Sequence, residues 1–478
     1  MRNPLARLGT SAIPILCAGL CAGCIAYHAA PIEPARMEDE FARRTLADPA
    51  LATWVAAEVV PAPPFPPPRW NLSALCLAAF WFHPDLDVAR AQARTARAGV
   101  DTASALPNPT FAFRPEYVLN PAAGDSRWVA DLGLDFLVET AGKRDLRTER
   151  ARKLALAAEV GVYEAAWHVR NGVRSALLEH LSALHELNLL RLEQEPRREV
   201  LDLLRRRLIA GETARLEVAR AEIEVSRIDI EVRTAETRIA TSRAALAAAI
   251  GVPESAVESL TFDVLGRGNG AWWGIGEPPA ELPLETAREP GLLERFDVRR
   301  ALLEYDAAEA DVRLEVAKQV PDLTLGPGYV FDQGLRKLAF NFALPLPLLD
   351  RNRGPIAEAE ARRSEAQARF TALQARALGE IDGALARYHG ALAELAEARL
   401  LSERQRTTEE GLRHSLAAGA ADRLDVAVAR AEVAALARVE LLVLHRAEEA
   451  LGDLENALER PLEGSAPVPD SLPVRVEP

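Results

Sequence analysis

The sequence is poor in aromatic residues, in lysine and in long apolar runs, and each scarcity excludes something. Aromatics make up only 5% of the 478 residues while 49% are apolar and 27% charged, a balance that disfavours an aromatic-rich β-sandwich and favours long helices of Ala, Leu, Arg and Glu. Lysine occurs only at Lys143, Lys153, Lys318 and Lys337, so nearly all basic charge is arginine. The formal net charge of -13 argues against nucleic acid as a partner, because such binders present a basic stripe that displaces counterions from phosphates. Beyond the first residues no stretch approaches the 18 or more apolar residues of a membrane helix. Any further membrane element has to be a β-barrel. Cysteine is scarce too, with Cys17, Cys21, Cys24 and Cys76 alone.

Three of those cysteines lie in MRNPLARLGTSAIPILCAGLCAGC, where Arg2 and Arg7 precede a short apolar stretch and small residues lead to Cys24. This is the layout of an export signal. Leu20-Cys21-Ala22-Gly23-Cys24 resembles a bacterial lipoprotein cleavage box, with Cys21 where such boxes usually place Leu, and it predicts a signal over 1–23 with Cys24 as the lipidated first residue. The same residues also fit an ordinary signal peptide or an uncleaved anchor. Cleavage before Cys24 leaves Cys76 as the one unmodified cysteine and excludes an intrachain disulfide. Ile25 lacks the Asp that often follows the lipidated cysteine of inner-membrane lipoproteins, which points to the outer membrane. Residues 24–69 then read as an extension with a polar helical candidate over 37–58, ending in the semi-rigid tract PAPPFPPP.

From Trp70 the chain reads as two copies of one plan, repeat 1 over 70–262 and repeat 2 over 291–463, joined by a linker at 263–290 and followed by a tail at 464–478. HPDLDVARAQARTARAGVDTASALPNPTFAF at 83–113 parallels RFDVRRALLEYDAAEADVRLEVAKQVPDLTL at 295–325, with Asp85, Ala89 and Ala96 answering Asp297, Ala301 and Ala308. After each proline the pattern has period two. In RWVADLGLDFLV one face holds Trp128, Ala130, Leu132, Leu134, Phe136 and Val138 and the other Arg127, Asp131, Gly133 and Asp135. RKLAFNFALPL repeats the scheme, and upstream partner strands across NPAAGDS and DQG predict hairpins over 109–138 and 322–349. Strands of about ten residues, apolar on one side and polar or small on the other, carry the signature of a membrane barrel, although a hairpin laid on a soluble helical core alternates likewise. Four strands close no barrel, and open edges in lipid are costly, so the strands have to be pooled among chains.

Each hairpin is followed by an Ala/Leu/Arg/Glu segment, roughly 144–210 and 354–418, which as a helix spans about 100 Å. Each segment stops at a repeated string, AGETARLEVA at 210–219 and AGAADRLDVA at 418–427. Gly211 and Gly419 suit the left-handed residue that ends a helix, with Glu212 or Asp422 opening the antiparallel return.

This layout, with WNLSALCLAAFWFHPDL at 70–86, ETAGKRDLRTERAR at 139–152 and ALPLPLLDRNRGPIAEAEARR at 343–363, resembles the TolC-type outer-membrane efflux family over nearly all of 70–463. The last two strings look most like the cobalt/zinc/cadmium (CzcC-type) branch, with Ala141 in place of the first Gly of its GGKR-like string and Leu349 in place of Phe. The resemblance implies a mainly α fold with a β-barrel. Three chains would each give four strands to a twelve-stranded outer-membrane barrel and their helices to a periplasmic tunnel. It implies a passive duct, with a periplasmic adaptor and an inner-membrane RND-type pump as partners, outer-membrane lipid around the barrel, and no cofactor. Metal cations as cargo follow from the branch alone. Gly211 and Gly419 match the family's tip turns, and Glu217 and Asp425 match acids lining its periplasmic gate, with Val428 where a second acid often follows. Repeated threefold, like charges raise each other's pKa and repel anions; the same acids also fit solvated helix faces. Arg215, Leu216, Arg423 and Leu424 fit adaptor contact or ordinary helix packing equally.

Other features carry less. GRGNGAWWGIG at 266–276 lacks the Lys-Ser/Thr ending of a phosphate loop, and His180 and His185, five apart, face different ways on a helix. No Ser-His-Asp, Cys-His or paired-carboxylate arrangement is legible, which argues against an enzyme. The reading from another class is a lipid-anchored periplasmic coiled-coil scaffold or pump adaptor. Adaptors usually carry a single helical hairpin between β-rich segments, whereas this chain has two helical and two strand hairpins in register.

Overall fold

A computed structural model describes residues 27–58, 64–262, 278–279 and 292–462. Cys24 with its cleavage box, the glycine-rich 266–276 and the tail from 464 fall outside the described residues. The chain divides into two units, 1–44 and 45–478. In the first, helix α1 (Pro34–Ala42) starts with proline at its first turn, where the missing N–H costs nothing. The single helix expected over 37–58 is two, because Asp48 and Pro49 begin α2 (Pro49–Glu58) afresh, with Asp48 Oδ1 accepting from the Ala50 N–H at 2.8 Å.

Repeat 1 continues with α3 (Leu72–Phe82) and α4 (Pro84–Ser104), β1 (Thr110–Tyr117), β2 (Trp128–Val138), α5 (Lys143–Ile209) and α6 (Arg215–Ile250). Repeat 2 answers with α7 (Phe296–Ala317), β3 (Leu323–Asp332), β4 (Leu335–Ala343), α8 (Arg353–Ala417) and α9 (Arg423–Leu458). The main apolar core lies where α6 ends, beside the middle of α5. There α3, whose LSALCLAAFWF is apolar all round, sinks Leu75, Phe80 and Phe82 against Val173 and Leu177 of α5 and Leu246 and Ile250 of α6. Asn71 caps α3 by accepting from the Ala74 N–H at 2.9 Å. Leu51 and Val55 of α2 join the same core.

The four strands form one antiparallel sheet in the order β1-β2-β3-β4. The predicted alternation fixes its register. Phe113 pairs with Leu132, Leu132 with Tyr329 and Tyr329 with Leu338, so one face carries an apolar row across all four strands. That face is exposed: Phe111, Trp128, Leu338, Phe340 and Phe342 all lie more than half open to solvent. The opposite face holds Arg114, Asp131, Asp135, Lys337 and Asn341, with Arg114 bonded to Asp131 at 3.2 Å and Asn341 donating to Asp135 at 3.0 Å. Strand β4 ends at Ala343, six residues short of the hairpin limit expected at 349, because Pro345 and Pro347 remove two ladder donors in succession.

The long helices lie side by side in the order α6-α5-α9-α8, since α5 packs on both α6 and α9, and α9 on α8. Both layers therefore end in open edges, β1 and β4 in the sheet, α6 and α8 among the helices. Among the described residues no helix is long and apolar enough to cross a membrane.

Candidate functional site

The tips of the two helical hairpins are built alike. At the end of α5 the Gly211 N–H donates to Leu208 O at 3.1 Å and the Glu212 N–H to Arg207 O at 2.8 Å; at the end of α8 the Gly419 N–H donates to Leu416 O at 3.0 Å and the Ala420 N–H to Ser415 O at 2.8 Å. This double bond pattern satisfies the last helical carbonyls and requires a left-handed residue. Gly211 sits at φ +79° and Gly419 at φ +75°, with open space where a side chain would stand.

The return helices start differently. Helix α9 opens at Asp422, whose carboxylate accepts from the Leu424 N–H at 3.0 Å, while Asp425 reaches back to accept from the Asp422 N–H at 3.3 Å, a reciprocal cap. Helix α6 opens at Ala214, not at Glu212, and has no side-chain cap. Glu212 is already spent as the backbone donor that closes the preceding helix. Glu217, at the position matching Asp425, instead accepts from Arg220 at 3.0 Å across one helical turn, with 47% of its side chain exposed. The two acids thus share a sequence position and differ in their local bonding.

The tips are tied to each other through α5 and α9. Arg207 pairs with Asp422, and Glu199 accepts from Arg423 at 3.4 Å and Arg430 at 3.2 Å. Arg423 is thus held within the protomer, whereas Arg215 is exposed with no polar partner among the described residues, and Leu216 is exposed where Leu424 is half-buried. The ties through Arg207 and Glu199 escape a reading of the sequence, because their partners stand more than 200 residues away. The cap Asp422-x-x-Asp425 is visible in it.

At the opposite end, the strings ETAGKRDLR and PLPLLDRNRG flank a cleft of about 1030 Å³ between the sheet base and the helices. Lys143, 6% exposed, donates to Asp322 Oδ1 at 2.6 Å and to Val320 O at 2.5 Å, and Thr140 bonds Asp322 and Pro321 O. Arg147 holds Glu139 at 2.6 Å and the Ala103 carbonyl at 2.7 Å, while Asn352 donates to the Glu315 carbonyl at 2.7 Å. Each string therefore clamps the turn after a hairpin onto an outer helix, and Lys143 joins repeat 1 to repeat 2. Among the described residues, no group of three or more His, Cys, Asp or Glu is placed to hold a metal ion. His180 bonds Ser242 at 3.0 Å inside the core.

The sequence pattern of outer membrane efflux proteins matches residues 82–252 and 291–459, the two repeats in turn. The chain belongs to the outer membrane efflux protein family. Solved structures similar to this efflux-family chain include the outer membrane protein VceC of Vibrio cholerae, 21% identical over 81% of this chain and 95% of that one with a TM-score of 0.65. The open state of the outer membrane channel MtrE of Neisseria gonorrhoeae is 19% identical over 82% and 89%, TM-score 0.63. CusC, whose structures follow folding and transmembrane channel formation, is 18% identical over 81% and 92%, TM-score 0.64. At these identities the likeness is one of fold: repeated long helical hairpins, each with a β-hairpin. No curated protein matches the chain in sequence.

Proposed function

We propose that this chain is the outer-membrane component of a tripartite efflux system, a passive duct formed by three copies. The observation that carries the reading is the pair of open edges in both layers, combined with an exposed apolar face spanning all four strands. An unpaired strand edge in lipid forfeits several kcal/mol for each lone backbone group. Twelve strands from three copies remove every edge, put the apolar face toward lipid and the face with Asp131, Asp135 and Lys337 toward the lumen. The same threefold closure brings α6 of one copy beside α8 of the next, covering Leu216, Ile223 and Ile230, a seven-residue repeat exposed on α6.

In this reading a periplasmic adaptor docks around Gly211, Arg215, Leu216, Gly419, Arg423 and Leu424, and an RND-type inner-membrane pump supplies the energy. The exposed Arg215, unpaired among the described residues, and the exposed Leu216 make the repeat 1 tip the better-presented half of that surface. Glu217 and Asp425 form the periplasmic gate as two rings of three carboxylates, and Cys24 carries the lipid anchor. Heavy-metal cations as cargo are supported by the resemblance of ETAGKR and PLPLLDRNRG to the cation-exporting branch and by a chain charge of -13, which favours cations in an aqueous tunnel.

Planar-bilayer recording tests the duct. The purified protein is expected to give discrete single-channel steps, and Glu217→Ala with Asp425→Ala to raise conductance or weaken block by divalent cations. A protein that runs as a monomer in detergent and passes no current is a scaffold and ends this reading. Currents unchanged in the double variant remove the gate and leave the duct.

A further inference from the structure

Helices α5 and α9, one from each repeat, meet along a seam that holds charge out of water. Arg170 and Glu455 are 0% and 1% exposed and bond at 2.8 Å, with the Arg170 guanidinium 4.7 Å from the centre of the Trp167 ring. One turn on, Arg174 Nη2 donates to Glu448 Oε2 at 2.9 Å, and Arg174 Nε lies 3.7 Å from Glu455. Gly452 stands four residues after Glu448, and a side chain there would collide with the Arg174 guanidinium, so the glycine lets the arginine lie across α9.

The two carboxylates are not equivalent. Glu455 bonds Arg170 through Oε2 and accepts from the Leu462 N–H through Oε1 at 2.9 Å. Glu448, 2% exposed, uses Oε2 for Arg174, while its Oε1 is buried without a hydrogen-bond partner among the described residues. Glu448 also lines a cavity of about 10 Å³, room for a single water molecule. The polar wall of that cavity is completed by Ser182 and His185 of α5 and His445 of α9, the rest being leucine. An ionised oxygen left bare in such surroundings costs several kcal/mol, whereas a neutral carboxyl beside one water does not.

We propose that the seam between the repeats contains a proton-binding site, in which Glu448 takes up a proton and shares it with one water held between Ser182, His185 and His445. The arrangement tolerates the loss of charge because Glu455 already lies between Arg170 and Arg174, so neither arginine is stranded when Glu448 is neutral. The groups facing Glu448 are Arg174 and His185 from α5, His445 and Glu455 from α9, and Tyr388 from α8, whose hydroxyl is coupled to its charge. His445 is itself bonded to Ser182 at 2.7 Å and lies 3.2 Å from Glu449.

Burial pushes the Glu448 carboxyl from its ordinary 4.5 up to about 7, with Arg174 opposing and Glu455 adding to the rise. A group raised on folding stabilises the protein fully below its unfolded value, and that contribution is lost as pH rises through about 7. Burial lowers the His185 pKa, an opposing effect that acts below about pH 6.5. Glu459, which burial also raises to about 7, titrates at the end of α9 on the Phe296 N–H, outside the cavity, and the His185 effect is absent in the window between about pH 6.5 and pH 8. Over it one such proton changes an opening equilibrium about fourfold. Proton uptake closes the seam, and release loosens the joint between the two helical hairpins.

Hydrogen exchange on the detergent-solubilised full-length protein tests this without any assumption about conductance. After correction for intrinsic chemistry, peptides from 174–189 and 441–455 are expected to open about fourfold less at pH 6.5 than at pH 8, while peptides from the α5–α6 contact around 225–240 stay unchanged. Glu448→Gln, a fixed neutral side chain, is expected to abolish the difference. Equal protection at both pH values in the unaltered protein overturns the proposal, as does a difference that survives in Glu448→Gln. If that variant does not fold, Glu448→Leu, which takes both oxygens out of the cavity, is read the same way, and the unaltered protein still decides the first point.

Discussion

Repeat 1 and repeat 2 trace one backbone and bury it differently. Helices α5 and α8 have nearly the same length, 67 and 65 residues, and end in the same glycine turn, yet α5 buries twenty-one side chains and α8 seven. The difference follows from position. Helix α5 lies inside the protomer between α6 and α9, while α8 lies at an open edge. Duplication has kept what the backbone demands, a left-handed glycine and a long uninterrupted helix, and has let each copy's side chains answer to its neighbours. The surface that α8 leaves uncovered is what a second subunit would cover in the assembly we propose.

The sharpest way to break this comparison is at the α5–α9 seam. Arg170→Ala leaves Glu455 as a buried, half-paired charge and removes the cover over Trp167, so unfolding is expected to cost about 3–5 kcal/mol less than in the unaltered protein. The exposed pair Arg191–Glu236, which joins α5 to α6 at 3.1 Å with both side chains more than half open, should lose less than about 1 kcal/mol on Arg191→Ala. Denaturant titration of both variants in one detergent reads the contrast. Similar losses would mean that the seam is wet and that burial does not distinguish the two helix contacts.

The tip turns sharpen it in the other direction, since there the two repeats should respond equally. Gly211→Ala and Gly419→Ala each force a side chain into left-handed backbone at a cost of about 1–2 kcal/mol, with no steric clash at either site. Equal losses of thermal stability are expected. The caps should then separate them again. Asp422→Ala removes the reciprocal cap of α9 and the partner of Arg207, and should cost about 1 kcal/mol. Ala214→Asp supplies a cap that α6 lacks and should stabilise by a comparable or smaller amount, read as a shift in Tm.

What the sequence discloses and what it hides follow from the range of the interaction. The alternation of Trp128 to Val138 and of Leu338 to Phe342 discloses the faces of the sheet, because side chains two apart lie on one face whatever the strands pack against. Gly211 and Gly419 disclose the turns because few other residues adopt their φ. The seam is hidden. Arg170, Arg174, Glu448 and Glu455 are four among many arginines and glutamates on long helices, and nothing local separates a charge whose burying partner stands 274 or 285 residues away from one in solvent. The unequal starts of α6 and α9 lie between these cases: Asp422 with Asp425 announces a cap, while Glu212 invites the same reading and fails, since its N–H is needed to close α5.

The smallest expected effect tests whether a sequence departure is also a structural one. Ala141, where the GGKR-like string that ETAGKR resembles would have its first glycine, adopts φ +55°, followed by Gly142 at φ +68°. The turn in repeat 2 places Asn352, the counterpart of Gly142 as the residue before the helix, at φ +59°, and asparagine tolerates this region better than alanine does. Repeat 1 therefore carries strain that repeat 2 avoids. Holding alanine in left-handed backbone costs about 1–2 kcal/mol, while glycine there adds about 0.4–1 kcal/mol of chain entropy to the unfolded state. The strain is the larger of the two, so Ala141→Gly should stabilise by about 0.5–1 kcal/mol. Asn352→Gly, starting from a better-suited residue that also bonds Glu315, should instead destabilise. Opposite signs in the two melting curves are expected; matching signs would show that Lys143 and Asp322, not the backbone of this turn, govern how each hairpin is seated on its helices.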